Sequence, residues 1–127
     1  MSRDKQTADF LYLLCSYLKA NPDCLIAVSN YAKKTGSKLP LGYYDDTYYY
    51  IRPEMMIPMF RAVAFPNYNA DILQILRELF ATDFIKVHWI LSEEVRYRPQ
   101  KRIGKTRKRY ITFYRRQLEP YMVKHIK

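Results

Sequence analysis

RYRPQKRIGKTRKRYITFYRR, residues 96–116, decides how the rest of the chain is read. Two β-prone runs, residues 87–97 and 109–114, flank a stretch, residues 99–108, in which five of ten residues are basic and one is Gly. That pattern predicts a hairpin with a cationic tip. The charge is equally lopsided: from Arg96 onward there are twelve Lys and Arg against one acid, Glu119, whereas the first 95 residues carry ten against eleven. The formal net charge of +10 thus resides in the last quarter of the chain. A cationic ribbon following a helical segment points to a polyanionic partner.

Working outward, 127 residues with 49% hydrophobic content are enough for one ordinary core and too few for two. Residues 1–127 are therefore expected to form one domain, with residues 117–127 as a short basic extension. No apolar run approaches the ~18 residues of a membrane span, and MSRDKQTADF has no signal-type apolar stretch behind its charges. A cytoplasmic protein without a membrane partner is the expectation. Cys15 and Cys24 are expected as reduced thiols rather than a disulfide.

Thr7 is a suitable cap for a first helix, because Ala8, Leu11, Leu14, Cys15 and Leu18 recur at helical spacing until Asn21-Pro22 stops it. Residues 24–34 are ambiguous: Leu25, Ile26, Ala27 and Val28 suit a strand, the preferred reading, while residues 30–34 also suit the end of a short helix before Thr35-Gly36. Residues 39–44 and 47–52 read as a small hairpin around Asp45-Asp46. Pro53 suits the first position of a helix over residues 54–65, with Met55, Met56, Met59, Phe60 and Val63 inward and a kink at Pro58. After the break at Phe65-Pro66-Asn67-Tyr68, Asn69 caps a helix whose Ile72, Leu73, Ile75, Leu76, Leu79 and Phe80 form a strongly apolar side. Two helices joined by a short turn and followed by a hairpin give the order of a winged helix. The expected fold class is α+β, a winged helix-turn-helix with an extra N-terminal helix and a small β-hairpin.

Chemistry-bearing patterns are sparse. Gly104-Lys105-Thr106 mimics the end of a phosphate-binding P-loop, but Pro99 occupies the position of the earlier Gly and a strand follows instead of a helix. His88, His125, Cys15 and Cys24 have no metal-ligand spacing. Asp45-Asp46 and Glu93-Glu94 are acid pairs of the kind that hold Mg²⁺ in nucleases, although adjacent acids at turns are more often solvated. A tyrosine nucleophile would need clustered Arg and His around it. No cofactor, no metal and no enzymatic activity are expected. Thirteen tyrosines and six phenylalanines beside many cations suit base stacking, yet Tyr12, Tyr17, Tyr48 and Tyr50 fall where rings simply roof a core with their hydroxyls in water.

DDTYYYIR (residues 45–52), Pro53 opening a helix, the leucine-rich ILQILRELF (residues 72–80), the step Phe84-Ile85 and the basic strand entered through residues 107–109 together resemble a family. It is the C-terminal winged-helix-like DNA-binding domain of replicative helicases and primase-helicases of bacterial mobile elements and phages. The resemblance covers residues 43–116 and is one of element order. It implies DNA binding beside an ATPase that this chain does not contain; a helicase or relaxase is a candidate protein partner.

The expected function is DNA binding through the basic hairpin, in replication or mobilisation of a mobile genetic element, with duplex preferred and single strands open. The alternative is an RNA-binding or protein-interaction accessory module. The expected contacts are Arg96, Arg98, Lys101, Arg102, Lys105, Arg107, Lys108, Arg109, Arg115 and Arg116. The second helix is poorly equipped for a polyanion, since its outer face holds Asp71, Gln74, Arg77, Glu78 and Ala81; Gln74 and Arg77 are therefore secondary contacts and the wing carries the affinity.

Overall fold

Leu11, Leu14, Cys15 and Leu18 lie along one side of an N-terminal helix, Ser2–Ala20, and all four are buried. Phe10 joins them, fully enclosed, whereas Ala8 is exposed. The computed structural model describes residues 2–31, 40–56, 58, 72–88 and 92–124. Within that helix Thr7 is not a cap. It sits more than a turn inside, buried, and its hydroxyl donates to Glu78 Oε1 at 2.7 Å. Asn21 ends the helix as expected: its backbone N–H and its Nδ2 both donate to the Tyr17 carbonyl, at 2.9 and 3.0 Å.

Among the described residues seven strands follow in chain order: β1 (Leu25–Ala27), β2 (Gly42–Tyr44), β3 (Tyr48–Ile51), β4 (Ile85–Lys86), β5 (Gln100–Ile103), β6 (Thr106–Arg109) and β7 (Ile111–Tyr114). Five of them form one sheet in the order β1-β2-β3-β7-β4, and β5 with β6 forms a separate two-stranded ribbon. The architecture is mixed α+β. β1 runs parallel to β2, and every other pairing is antiparallel. The expected small hairpin is present as β2 and β3. Its turn is held by Asp45, whose Oδ1 accepts the N–H groups of Thr47 and Tyr48 at 2.9 and 2.8 Å, the side chain replacing a backbone turn partner. Gly42 has no room for a side chain, because a Cβ there would strike the Tyr50 carbonyl across the ladder.

Strand alternation divides the sheet into two faces. Tyr49 and Ile51 of β3, Ile111 and Phe113 of β7 and Ile85 of β4 point to one side, into the main core. There they meet Phe10, Leu14 and Cys15 of the N-terminal helix, Ile75, Leu76 and Leu79 of the leucine-rich helix Ile72–Ala81, and Leu118 of a C-terminal helix, Arg115–Lys124. Residues 117–124 are thus not an appendage; Leu118 is fully buried, and Tyr121 and Met122 pack on the core. Residues 53–56 are helical and Met56 is fully buried, as the Pro53 start predicts. The expected cap Asn69, the break at Phe65-Pro66-Asn67-Tyr68, Asp71, and the inward positions Met59, Phe60 and Val63 lie outside the described residues.

The leucine-rich helix stops with Asp83 at φ 64°. Phe84 N–H bonds to the Leu79 carbonyl at 2.8 Å and Asp83 N–H to the Phe80 carbonyl at 3.0 Å, the double closure of a Schellman ending with an acid where Gly is usual. From there the chain enters β4 and then differs from expectation. Among the described residues of the run 87–97, which are 87–88 and 92–97, none is in a strand, and Ser92 followed by Glu93 opens a single helical turn, Glu93–Arg96. An acid just after a Ser favours a helix start over a strand.

Candidate nucleic-acid interface

The basic stretch is itself the strand pair. Residues 99–108, expected as a loop, are mostly β5 and β6, and only Gly104-Lys105 remain as the turn. Gly104 takes φ 65° at the first central position, as a tight hairpin of this type requires. The flank expected as the second strand of this hairpin is β7, which leaves the ribbon and enters the centre of the large sheet. Tyr110 N–H, bonded to the Pro99 carbonyl at 3.1 Å, closes the base of the ribbon.

In that register like charges stand opposite each other. Lys101 faces Lys108 and Arg102 faces Arg107. Directly opposed like charges destabilise an antiparallel ladder, so this arrangement opposes its own folding unless an anion sits over it. Among the described residues, no carboxylate forms an ion pair with Lys101, Arg102, Lys105, Arg107 or Lys108. Arg102, Lys105, Arg107 and Lys108 are exposed. Lys101 and Arg109 are half-buried; Arg109 Nη1 donates to the Arg98 carbonyl at 3.1 Å, which ties the foot of the ribbon.

The ribbon does not project freely. Ile103 is buried against the second face of the sheet, in a cluster with Tyr50 and Tyr110 that Val28, Tyr43 and Tyr48 complete. The turn meets Tyr31, whose ring lies so close that a Cβ on Gly104 would collide with it. Below the ribbon runs an unbroken series of tyrosine rings. Tyr43 meets Tyr110 at 6.2 Å between centroids, Tyr110 meets Tyr50 at 6.2 Å, Tyr50 meets Tyr48 at 5.8 Å, and Tyr48 meets Tyr114 at 5.4 Å. Among the described residues three cations lie over these rings: Lys101 Nζ is 5.3 Å from the Tyr50 centroid, Lys86 Nζ 5.2 Å from Tyr48, and the Arg116 guanidinium 5.1 Å from Tyr114. Tyr50 and Tyr110 are buried, while Tyr43, Tyr48 and Tyr114 are half-buried.

Tyr50 donates its hydroxyl to Asp45 Oδ2 at 2.6 Å. Burial and this bond push the phenol upward from its ordinary value. Burial alone would raise the Asp45 carboxyl too, but the hydrogen bonds from Tyr50, Tyr48 and Thr47, with the charge of Lys101, outweigh it and hold the group below the usual carboxylate range. Asp45 therefore stays an anion fixed within its own turn. The sequence spacing marks Tyr48 and Tyr50 only as ordinary roofing rings, and nothing in it sets Tyr43, Tyr110, Tyr114 or Lys86 apart. The local signal is alternation within YYYI, which sets Tyr48 and Tyr50 on one face of β3; Tyr114, the single tyrosine of ITFY, joins that face only through the pairing of β3 with β7.

Other expected contacts are placed elsewhere. Arg115 is enclosed by its own neighbours: Nη2 pairs with Glu119 at 2.8 Å, Nη1 donates to the Asp45 carbonyl at 2.8 Å, and the guanidinium covers Tyr44 and Tyr49. Arg96 ends the helical turn, half-buried, with its carbonyl accepting His88 N–H at 2.9 Å. Gln74 and Arg77 are half-buried on the leucine-rich helix. Arg77 forms a two-pronged contact with Glu93, at 2.6 Å through Nε and 2.8 Å through Nη2. That contact draws the Glu93 carboxyl down to about 2.

The acids weighed for nuclease chemistry are engaged separately, Asp45 in its turn and Glu93 with Arg77. Among the described residues no group of three or more His, Cys, Asp or Glu is placed to hold a metal ion, and no helix is long and apolar enough to cross a membrane. The chain matches no protein-family model, and no curated protein or solved structure matches it.

Proposed function

We propose that this chain binds nucleic acid, in the first instance duplex DNA, with the β5–β6 ribbon as the wing of a winged-helix domain. The observation that carries the reading is the opposed cation pairs, Lys101 with Lys108 and Arg102 with Arg107, on a ribbon whose cations make no contact ion pair among the described residues, the charge of Lys101 alone reaching a carboxylate, that of Asp45. A polyanion laid along the ribbon turns that internal repulsion into binding energy through released counterions. The order of elements supports the wing assignment: a helix started by Pro53, the leucine-rich helix, β4, the ribbon, then β7 returning between β3 and β4. The Arg77–Glu93 pair supports a wing-first mode, since it leaves the leucine-rich helix with an engaged Arg rather than a phosphate ligand. Arg102, Lys105, Arg107 and Lys108 take the leading contacts, with Lys101 and Arg109 at the ribbon's inner side and foot.

On this reading the chain is a binding module rather than an enzyme. It acts in the cytoplasm, in replication or mobilisation of a mobile element, beside a helicase or relaxase. Mobility shifts with matched duplex DNA, single-stranded DNA and structured RNA test the class of ligand. Replacing Lys101, Arg102, Lys105, Arg107 and Lys108 by Ala is expected to abolish most binding while far-UV circular dichroism stays native. A tenfold preference for RNA transfers the assignment to an RNA-binding accessory role.

A further inference from the structure

The ribbon's cations account for a phosphate backbone, but they leave the tyrosine face beside them unexplained. A face that only needed covering could be aliphatic. Here five tyrosines form one continuous series across β2, β3, β7 and the approach to β7, and three of them remain partly open. Tyr48 and Tyr114 stand directly opposite each other in register, next to the exposed Lys86 and Arg116. Half-open rings alternating with cations are what unpaired bases and their phosphates require, because any base can stack on a ring while the adjacent ammonium or guanidinium meets its phosphate.

We infer that the Tyr48–Tyr114 end of this face stacks unpaired bases, so that the domain engages a single-stranded segment continuous with the duplex held by the ribbon. The inference rests on the nucleic-acid reading above and adds the kind of strand. Lys86 and Arg116 cover the two rings in the unliganded protein. An exposed cation–ring contact is weaker than a base stack, so a base displaces each cation from its ring and the freed charge turns to the neighbouring phosphate. Tyr50 and Tyr110, buried under Ile103, are the floor that fixes the outer rings rather than stacking positions themselves. Asp45, at the same end, does not repel the strand as a free acid would, since its carboxylate is taken by the Tyr50 hydroxyl and two backbone N–H groups.

Fluorescence anisotropy with three labelled probes tests this: a 20-nucleotide oligo-dT, a blunt 20-base-pair duplex, and the same duplex carrying a ten-nucleotide dT tail. The tailed duplex is expected to bind tightest. Replacing Tyr48 and Tyr114 together by Leu, which keeps apolar bulk, is expected to weaken oligo-dT binding at least about tenfold and to erase the advantage of the tail, with blunt-duplex affinity unchanged. Replacing both by Phe keeps the rings and is expected to preserve binding. The thermal midpoints of both variants confirm that each is folded. Oligo-dT binding unchanged in the folded Leu variant, or a tail that adds nothing in the wild type, overturns the inference while leaving duplex binding by the ribbon in place. Failure to bind any of the three probes overturns both readings.

Discussion

Tyr31 lays its ring against Gly104, so the tip of the basic ribbon is fastened to the segment just after β1, more than seventy residues away in sequence. Two separate reasons thus require Gly at 104: its positive φ and the adjacent ring. Gly104→Ala is expected to lose more than about 1 kcal/mol of stability, by urea denaturation. In a Tyr31→Ala background the cost should shrink, because the collision is gone and only the backbone conformation remains. Additive effects of the two substitutions would mean that the tip and the ring do not touch in solution.

Affinity should fall steeply with salt. If the ribbon neutralises about five to eight phosphates, duplex binding should weaken by orders of magnitude between roughly 50 and 200 mM salt. The same titration separates ribbon from helix. Gln74→Ala with Arg77→Ala should cost under about 1 kcal/mol of binding, and Arg107→Ala with Arg109→Ala more than that. A costlier helix pair would restore the leucine-rich helix as the reading element.

The Arg77–Glu93 pair should make part of the stability acid-sensitive. The Glu93 carboxyl lies near 2 in the folded protein, against an ordinary value of 4.5. A carboxyl with a depressed folded value stabilises fully above its unfolded value and loses that contribution as pH falls through the folded one. The stability gap between the wild type and Glu93→Gln should therefore be constant above about pH 5 and close towards pH 2. A gap that persists at pH 2 would rule out the ion pair as its origin. Both partners are more than a third exposed, at 39% and 34%, so the gap itself should be small.

Asp83 ends the leucine-rich helix in a conformation that suits Gly better. Asp83→Gly should be neutral or stabilising by up to about 1 kcal/mol in thermal denaturation. A clear loss would assign the Asp83 carboxylate a contact of its own.

Burial raises the Cys15 thiol to about 12 and the Cys24 thiol to about 11. A raised thiol stabilises fully below its ordinary value near 9 and loses that contribution as pH climbs through the folded one. At pH 8 neither is a thiolate to any useful extent. A chromogenic disulfide reagent should react slowly with Cys24 and leave Cys15 untouched until denaturant is added. Rapid labelling of both in native buffer would contradict the packing of Cys15 between the N-terminal and C-terminal helices.

Elements with strong apolar periodicity were legible in the sequence. Leu11 to Leu18 announced the N-terminal helix, Ile75 to Leu79 the leucine-rich one, and Asp45 the turn between β2 and β3. What escaped was set by contacts distant in sequence. QKRI and TRKR contain almost no apolar side chains, so nothing in their pattern separates a strand from a solvated loop; docking of the single Ile103 on Tyr50 and Tyr110 decides it. The parallel pairing of Leu25 with Gly42 and the return of β7 between β3 and β4 likewise leave no local trace. Of the binding side, the cations of the ribbon could be read directly. The tyrosine face could not, because it exists only once β3 and β7 are side by side.

The sheet ends on a three-residue strand, β1, and a two-residue strand, β4, and places TYYYI at its middle with β2 on one flank and β7 on the other. Those five residues carry no charge and no Pro, and they combine β-branched and aromatic side chains, the composition from which cross-β fibrils grow. Folded, the segment has no open hydrogen-bonding edge, and the short outer strands offer little template to another copy. Self-association of this protein should therefore be governed by how often β7 peels away from β3, and a bound oligonucleotide bridging Tyr48 and Tyr114 would act as an anti-aggregation clamp on that seam.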